Sequence, residues 1–289
     1  MHHAPSGSSY SEDVLDRRLL LNTYSDNVAT LRQSMEVSTD YSDHTLMACL
    51  RAEKFNLEAA KHRLQATEAW RQSISLDHVC TDRCWQAEER ASRAVLLYDH
   101  LGLDVHGRPV LVERVGAWDI DRVLELAEDI QYFCVLHAIV CETIATMPRP
   151  AGCIDPRGYV LIMDLQGLGK RHCSRKLIKV FQAVNAIDEA HFPDSVAHLF
   201  VVNAPRFFSV FFKIIRPILS GDDSMKISFS SQIPADLVRC LGADCLPTEL
   251  GGTRAACFPY HLESMAWPRP LETMDTTSRV CFKRQCVQM

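Results

Sequence analysis

The sequence predicts an α/β fold: a mixed or parallel sheet flanked by helices, behind an all-α N-terminal module. Three observations predict it. Apolar strand-like runs alternate with helical stretches from about Ala94 onward, which favours a sheet covered by helices. The run "YVLIMDL" is apolar almost throughout, as a central strand buried on both faces should be. Upstream, Leu46, Met47, Leu50, Phe55, Leu57, Ala60 and Leu64 repeat at helical spacing.

Taken in order, residues 1–40 form a polar N-terminal extension with one apolar patch, "LDRRLLL". Residues 41–80 form the helical module, read as two short helices around "RAEKFN". Asn56 caps the second, with Glu58 in its first turn. "CTDRCWQAEERASR" reads as a connector. The main domain spans 92–262. It opens with two strands in "AVLLYDHLGLDVHGRPVLVERVG", joined by a turn over Asp104 to Pro109 in which Gly107 supplies a permissive backbone. "DRVLELAEDIQYFCVLHAIVCETIATMP" reads as one long helix stopped by Pro148. After the central strand, "SRKLIKVFQAVNAIDEAHF" is a helix capped by Ser174. A strand at Leu199–Val202, a helix after Asn203-Ala204-Pro205, a short strand at "MKISFSS" and a helix near "PADLVRCLG" follow. Residues 263–289 are a tail.

Composition narrows the function. The chain is 47% hydrophobic and 23% charged, with a net charge of −5, which argues against nucleic acid as a partner. The start lacks an apolar leader, and no apolar run is long enough to span a bilayer, so the chain reads as soluble and cytoplasmic. None of the 12 cysteines stands in a C-x-x-C pair; they read as reduced, partly buried thiols. Cys134, His137 and Cys141 share a helical face, but a fourth ligand is not evident, and no metal is expected. "DLQGLGKRH" fails as a phosphate loop, because Asp164 and Arg171 replace the required Gly and hydroxyl residue. It fails as a dinucleotide fingerprint because His172 replaces the third Gly. No catalytic motif is found, and an enzyme is not expected. A nucleotide-dependent enzyme built on the GLG turn is the remote alternative.

Two features call for a surface other than water. On the helix after Pro205, Phe207, Val210, Phe211, Ile214 and Ile218 fall on one side, and Phe208, Phe212, Ile215 and Leu219 on the adjacent one. Only Ser209, Lys213 and Arg216 make a polar stripe, so the apolar arc is roughly twice the ~100° of a surface helix. "KRHCSRKLIK" puts five cations and no acid at a helix start, where the macrodipole disfavours them. An apolar helix flanked by cations suits an anionic bilayer.

At this point the chain resembles a known family. "TLMACLRAEKFNLEAAKHRLQATEAWR", "LGLDVHGRPVLVERVG", "VLIMDLQGLG", "HFPDSVAHLFVVNAP", "FFKIIRPIL" and "LPTELGGT" follow the order and spacing of the CRAL-TRIO lipid-transfer proteins, over roughly Asp43 to Thr253. The resemblance implies a deep apolar pocket under a mobile gate helix, holding a phospholipid or other hydrophobic lipid as bound ligand and needing no further cofactor. Phe207, Phe208, Phe211, Phe212 and Ile215 would serve the gate and pocket, and Lys213 and Arg216 would face the membrane, giving peripheral membrane association. For phosphatidylinositol, the family's headgroup positions fall on Lys54, Asp194 and Lys226. Glu53 reverses one basic charge of that site, and Asp223 replaces a threonine. Tyr159 and Leu161 stand where phosphatidylcholine-binding members carry hydroxyls, and Leu161 offers none. The role implied is a carrier without catalysis. The alternative is a lipid-sensing adaptor that presents lipid to a lipid-modifying enzyme partner. The chain ends Cys286-Val287-Gln288-Met289, which fits a prenylation frame at Cys286 with Gln288 off-pattern, and Lys283 and Arg284 lie just upstream.

Overall fold

The computed structural model describes residues 23–35, 41–147, 158–210, 212–213 and 226–255. Five strands lie in the order β1-β2-β3-β4-β5: β1 (Tyr98–Leu103), β2 (Pro109–Glu113), β3 (Tyr159–Asp164), β4 (Val196–Val202) and β5 (Lys226–Phe229). The β1–β2 hairpin is antiparallel and every later pair is parallel, so the sheet is mixed, with β3 in the middle.

Strand alternation assigns the two faces. Val110, Val112, Val160, Ile162, Phe200 and Val202 lie on one face, sealed by α9 (Ala235–Leu241) and the segment through Leu250. The parallel register aligns two rows on the other face: Leu111–Leu161–Leu199–Ile227 and Glu113–Met163–Val201–Phe229. This second face looks toward α7 (Ile130–Thr146), α8 (Arg175–His191) and the helical turn that begins at residue 208.

The N-terminal module comprises α1 (Ser25–Ser34), α2 (Asp43–Ala52) and α3 (Leu57–Ser73) around Leu31, Leu46, Leu50 and Leu64. Asn56 caps α3 by accepting from Ala59 N, and Ser174 caps α8 by accepting from Leu177 N, as their positions before the apolar periodicity predict. Helix α3 is longer than expected, at 17 residues.

Two expectations are corrected. "CTDRCWQAEERASR" is not a connector; it ends α4 (Leu76–Thr81) and forms most of α5 (Arg83–Leu96), which is capped by Asp82. Its inner face buries Glu89 and Ser92 between Trp85 and Val95, so the apolar repeat is interrupted midway. Glu89 stays buried because Tyr98 Oη donates to it at 2.7 Å and Arg93 pairs with it. The expected long helix over 121–147 is two helices, α6 (Ile120–Leu126) and α7. Asp129 breaks it by accepting from the backbone N–H groups of Gln131 and Tyr132.

Candidate functional site

The two sheet faces are covered unequally. On the α9 side the apolar residues are fully buried. On the other, Leu161, Met163 and Ile227 are only half-buried and Phe229 is exposed. On α8, Ile178, Phe181, Val184 and Ile187 are also half-buried, and Phe181 and Val184 pack on the cluster formed with α6 and α7. The half-covered strand residues form an apolar trough along the sheet, bordered by the turn at 208. Its far wall is an aromatic cluster: Phe208 is buried, and Phe212 meets Phe229 edge-on with ring centroids 4.4 Å apart.

That turn resolves which side of the greasy helix looks inward. Phe208 and Phe212 pack on the sheet, while Phe207 and Val210 point outward, 42% and 66% exposed. Lys213 is exposed as well. Phe211, Ile215, Arg216 and Cys286 lie outside the described residues. Among the described residues no helix is long and apolar enough to cross a membrane.

The three headgroup positions are not brought together in one way. Lys54 is exposed in the α2–α3 turn, with φ of 51°. Asp194, in the turn before β4, is 1% exposed and accepts from Arg51 Nη1 at 2.7 Å. The backbone of Lys226 opens β5 opposite His198, and its side chain lies outside the described residues. Arg51 is the residue that sequence reasoning missed. It sits in the last turn of α2, three positions before Lys54, and its partner is 143 positions away. Glu53 is neutralised by Arg63 at 2.7 Å. Arg63 also donates to the carbonyls of Glu189 and Ala190 at the end of α8, where a cation complements the helix dipole. Trp70 stacks on His191 at 4.1 Å. Between the module and the sheet domain lies a cleft of about 340 Å³, lined by Tyr41, Arg71, Glu142, Tyr159 and Asp194 among others.

The basic run begins in a 3-10 turn (Lys170–Cys173) and continues into α8. Arg171 meets an acid from α6, with Asp121 accepting through both oxygens at 2.6 Å. Lys170, Arg175, Lys176 and Lys179 are exposed on the same end.

One polar group stands on the apolar floor. Glu113 lines a cavity of about 100 Å³ under α7 and α8, together with His137 and Tyr98. Burial pushes its carboxyl up to about 7; His137 opposes the shift and Asp188 adds to it. Its contribution to stability is therefore complete below about 4.5 and is lost as pH rises to about 7. In chelator-containing buffer, urea unfolding should show the wild type losing on the order of 2–3 kcal/mol relative to Glu113→Gln across that window. Parallel pH profiles for the two proteins would refute the assignment.

These elements build a five-stranded mixed sheet flanked by helices, with one apolar face left partly uncovered. A profile of the CRAL/TRIO domain matches residues 97–252, and the chain belongs to that family. It is 28% identical over 229 residues to the SEC14 cytosolic factor of Kluyveromyces lactis, covering 77% of this chain and 74% of that one. It is 25% identical over 215 residues to the phosphatidylinositol/phosphatidylcholine transfer protein SFH4 of Arabidopsis thaliana, covering 73% of this chain and 35% of that one. The crystal structure of Sfh5 superimposes with a TM-score of 0.57 at 14% identity, over 75% of each chain.

Proposed function

We propose that this chain is a non-enzymatic lipid carrier that extracts one phospholipid from a membrane and holds its acyl chains in the trough. The observation that carries the reading is the unequal burial of the sheet. Leu161, Met163 and Ile227 form an apolar floor that the protein leaves half-covered, and each methylene placed on such a surface gains about 0.8 kcal/mol relative to water, which offsets the loss of the bilayer. The relatives named for phosphatidylinositol and phosphatidylcholine transfer support phospholipid as the class. Phosphatidylinositol is the cargo proposed, with its headgroup near the module–domain boundary. Lys54 and Lys226 are its cationic contacts there, and Asp194 accepts from inositol hydroxyls on release from Arg51. The protein works in the cytoplasm with peripheral membrane contact, and a prenyl group on Cys286 with the adjacent Lys283 and Arg284 would hold it at one membrane. A lipid-modifying enzyme is the partner for a tethered form that presents its cargo.

Native mass spectrometry of the purified full chain tests this, and one co-purified phospholipid per chain is expected. Protein without lipid that also fails to move labelled phosphatidylinositol or phosphatidylcholine between vesicles would end the proposal. The gate has its own arm. Because Phe207 and Val210 point outward, Phe207→Asp/Val210→Asp should leave the melting temperature within a few degrees and cut binding to anionic vesicles at least about tenfold. Phe208→Asp, which buries a charge in the aromatic cluster, should destabilise by about 3 kcal/mol or more. Equal vesicle binding by the double variant would mean that this helix is not the membrane contact.

A further inference from the structure

Helices α7 and α8 pack along an apolar seam that one polar cluster interrupts. His137 and Cys141 are four residues apart on α7 and so share a face. Asp188 reaches them from α8. His137 Nε2 lies 2.6 Å from Asp188 Oδ1. Cys141 Sγ lies 3.3 Å from that same Nε2 and 3.6 Å from that same carboxylate oxygen. One imidazole nitrogen, one sulfur and one carboxylate oxygen therefore converge on a single point between the two helices. The side chains of His137 and Asp188 are 21% and 31% accessible, so a metal ion could reach them. His137 lines the small cavity that holds Glu113, and Cys141 lines the larger cleft.

Two chemistries use such a trio. A thiol–imidazole–acid relay needs both ring nitrogens, one for the thiol and the other for the acid. Here both partners meet Nε2, so a proton cannot be passed through the ring. A metal ion is the group that takes all three donors at once. Tetrahedral zinc, with bonds of about 2.0–2.3 Å, sets its ligand atoms about 3.3–3.6 Å apart. Both sulfur distances already match, and the imidazole–carboxylate pair has to open by about 0.7 Å. The charges also close: a divalent ion with one thiolate, one carboxylate and a neutral imidazole sums to zero, which an apolar interior tolerates.

We propose that His137, Cys141 and Asp188 form a three-ligand zinc site whose fourth position is open to an oxygen donor from the adjoining cavity. The sequence groups Cys134 with His137 and Cys141 and offers no further ligand; in the fold Asp188 completes the set, and Cys134 is not part of it. The proposal is independent of the lipid reading and departs from the expectation that no metal is bound.

Cobalt(II) titration of the chelator-stripped full chain tests it. One equivalent should produce a tetrahedral visible spectrum and a sulfur-to-cobalt charge-transfer band, both abolished by equimolar zinc. Affinity should rise with pH as the metal displaces the protons of His137 and Cys141. Cys141→Ser should remove the charge-transfer band, and Asp188→Asn should weaken binding about 100-fold or more, since even outer-shell changes cost 10–100-fold. Cys134→Ser should change neither. Native mass spectra of the unaltered chain, which need no variant to fold, should show a single zinc adduct. A folded wild-type chain with no charge-transfer band at one equivalent, or a band that survives in Cys141→Ser, would overturn the site.

Discussion

Asp104→Ala is expected to lower the unfolding free energy by about 3–5 kcal/mol, the range for removing one partner of a buried ion pair. Asp104 and Arg108 close the β1–β2 hairpin, and neither side chain has exposed surface. Asp104 Oδ2 accepts from Arg108 Nε at 2.8 Å, while Oδ1 accepts from the backbone N–H groups of His106 and Arg108 at 2.9 and 2.8 Å. The alanine variant therefore loses the turn's internal acceptor and leaves a guanidinium inside the protein with its carboxylate removed. Asp104→Asn keeps the acceptor and should lose less. Asp104→Ala/Arg108→Met, which removes the buried charge as well, should recover part of the loss. Urea unfolding of the three variants measures this. A loss under 1 kcal/mol for Asp104→Ala would mean that water reaches the pair.

Gly116→Ala is expected to cost about 3 kcal/mol or more and to lower cargo retention. A Cβ at this position would lie 2.3 Å from Gln166 O, 2.5 Å from Leu165 C and 2.6 Å from Leu165 O. All three are backbone atoms, so a side-chain rotamer change cannot relieve the contact. The segment after β2 has to move off the segment after β3. That segment carries Val115, part of the trough's buried wall, and Trp118, whose indole donates to Leu96 O. Stability and lipid content of the purified variant should fall together. Gly169→Ala is the control, with ordinary backbone angles and its nearest neighbour 4.0 Å away, and should be close to neutral. Near-wild-type stability in Gly116→Ala would show that the two loops are not in contact.

The elements that were legible in the sequence are those whose causes are local. Strands β2 and β3 follow from β-branched and apolar runs, and the caps at Asn56 and Ser174 from a side chain and an N–H three positions apart. The turn at Asp104–Arg108 is written in five consecutive residues, and the ordered motifs pointed to the family over most of the chain. Helix α5 was not legible, because its buried face rests on Glu89 and Ser92. Those polar groups are acceptable inside only once Tyr98 and Arg93 arrive. The break at Asp129 was missed for a related reason: an aspartate in an apolar helical pattern either continues the helix or caps a new one, and packing selects between them.

For the candidate site the division is sharper. Sequence alone determined that the helix after Pro205 carries more apolar surface than one core face requires, and that a central strand is apolar on both sides. Only the tertiary structure decided that Phe208 and Phe212 turn inward while Phe207 and Val210 turn out. It also decided that Asp194 belongs to Arg51, and that Asp188 joins His137 and Cys141. Periodicity states which residues share a side of a helix, but the rotation of that helix against its neighbours is set by the packing of whole surfaces. Partners separated by 51 or 143 positions meet only after that packing is complete.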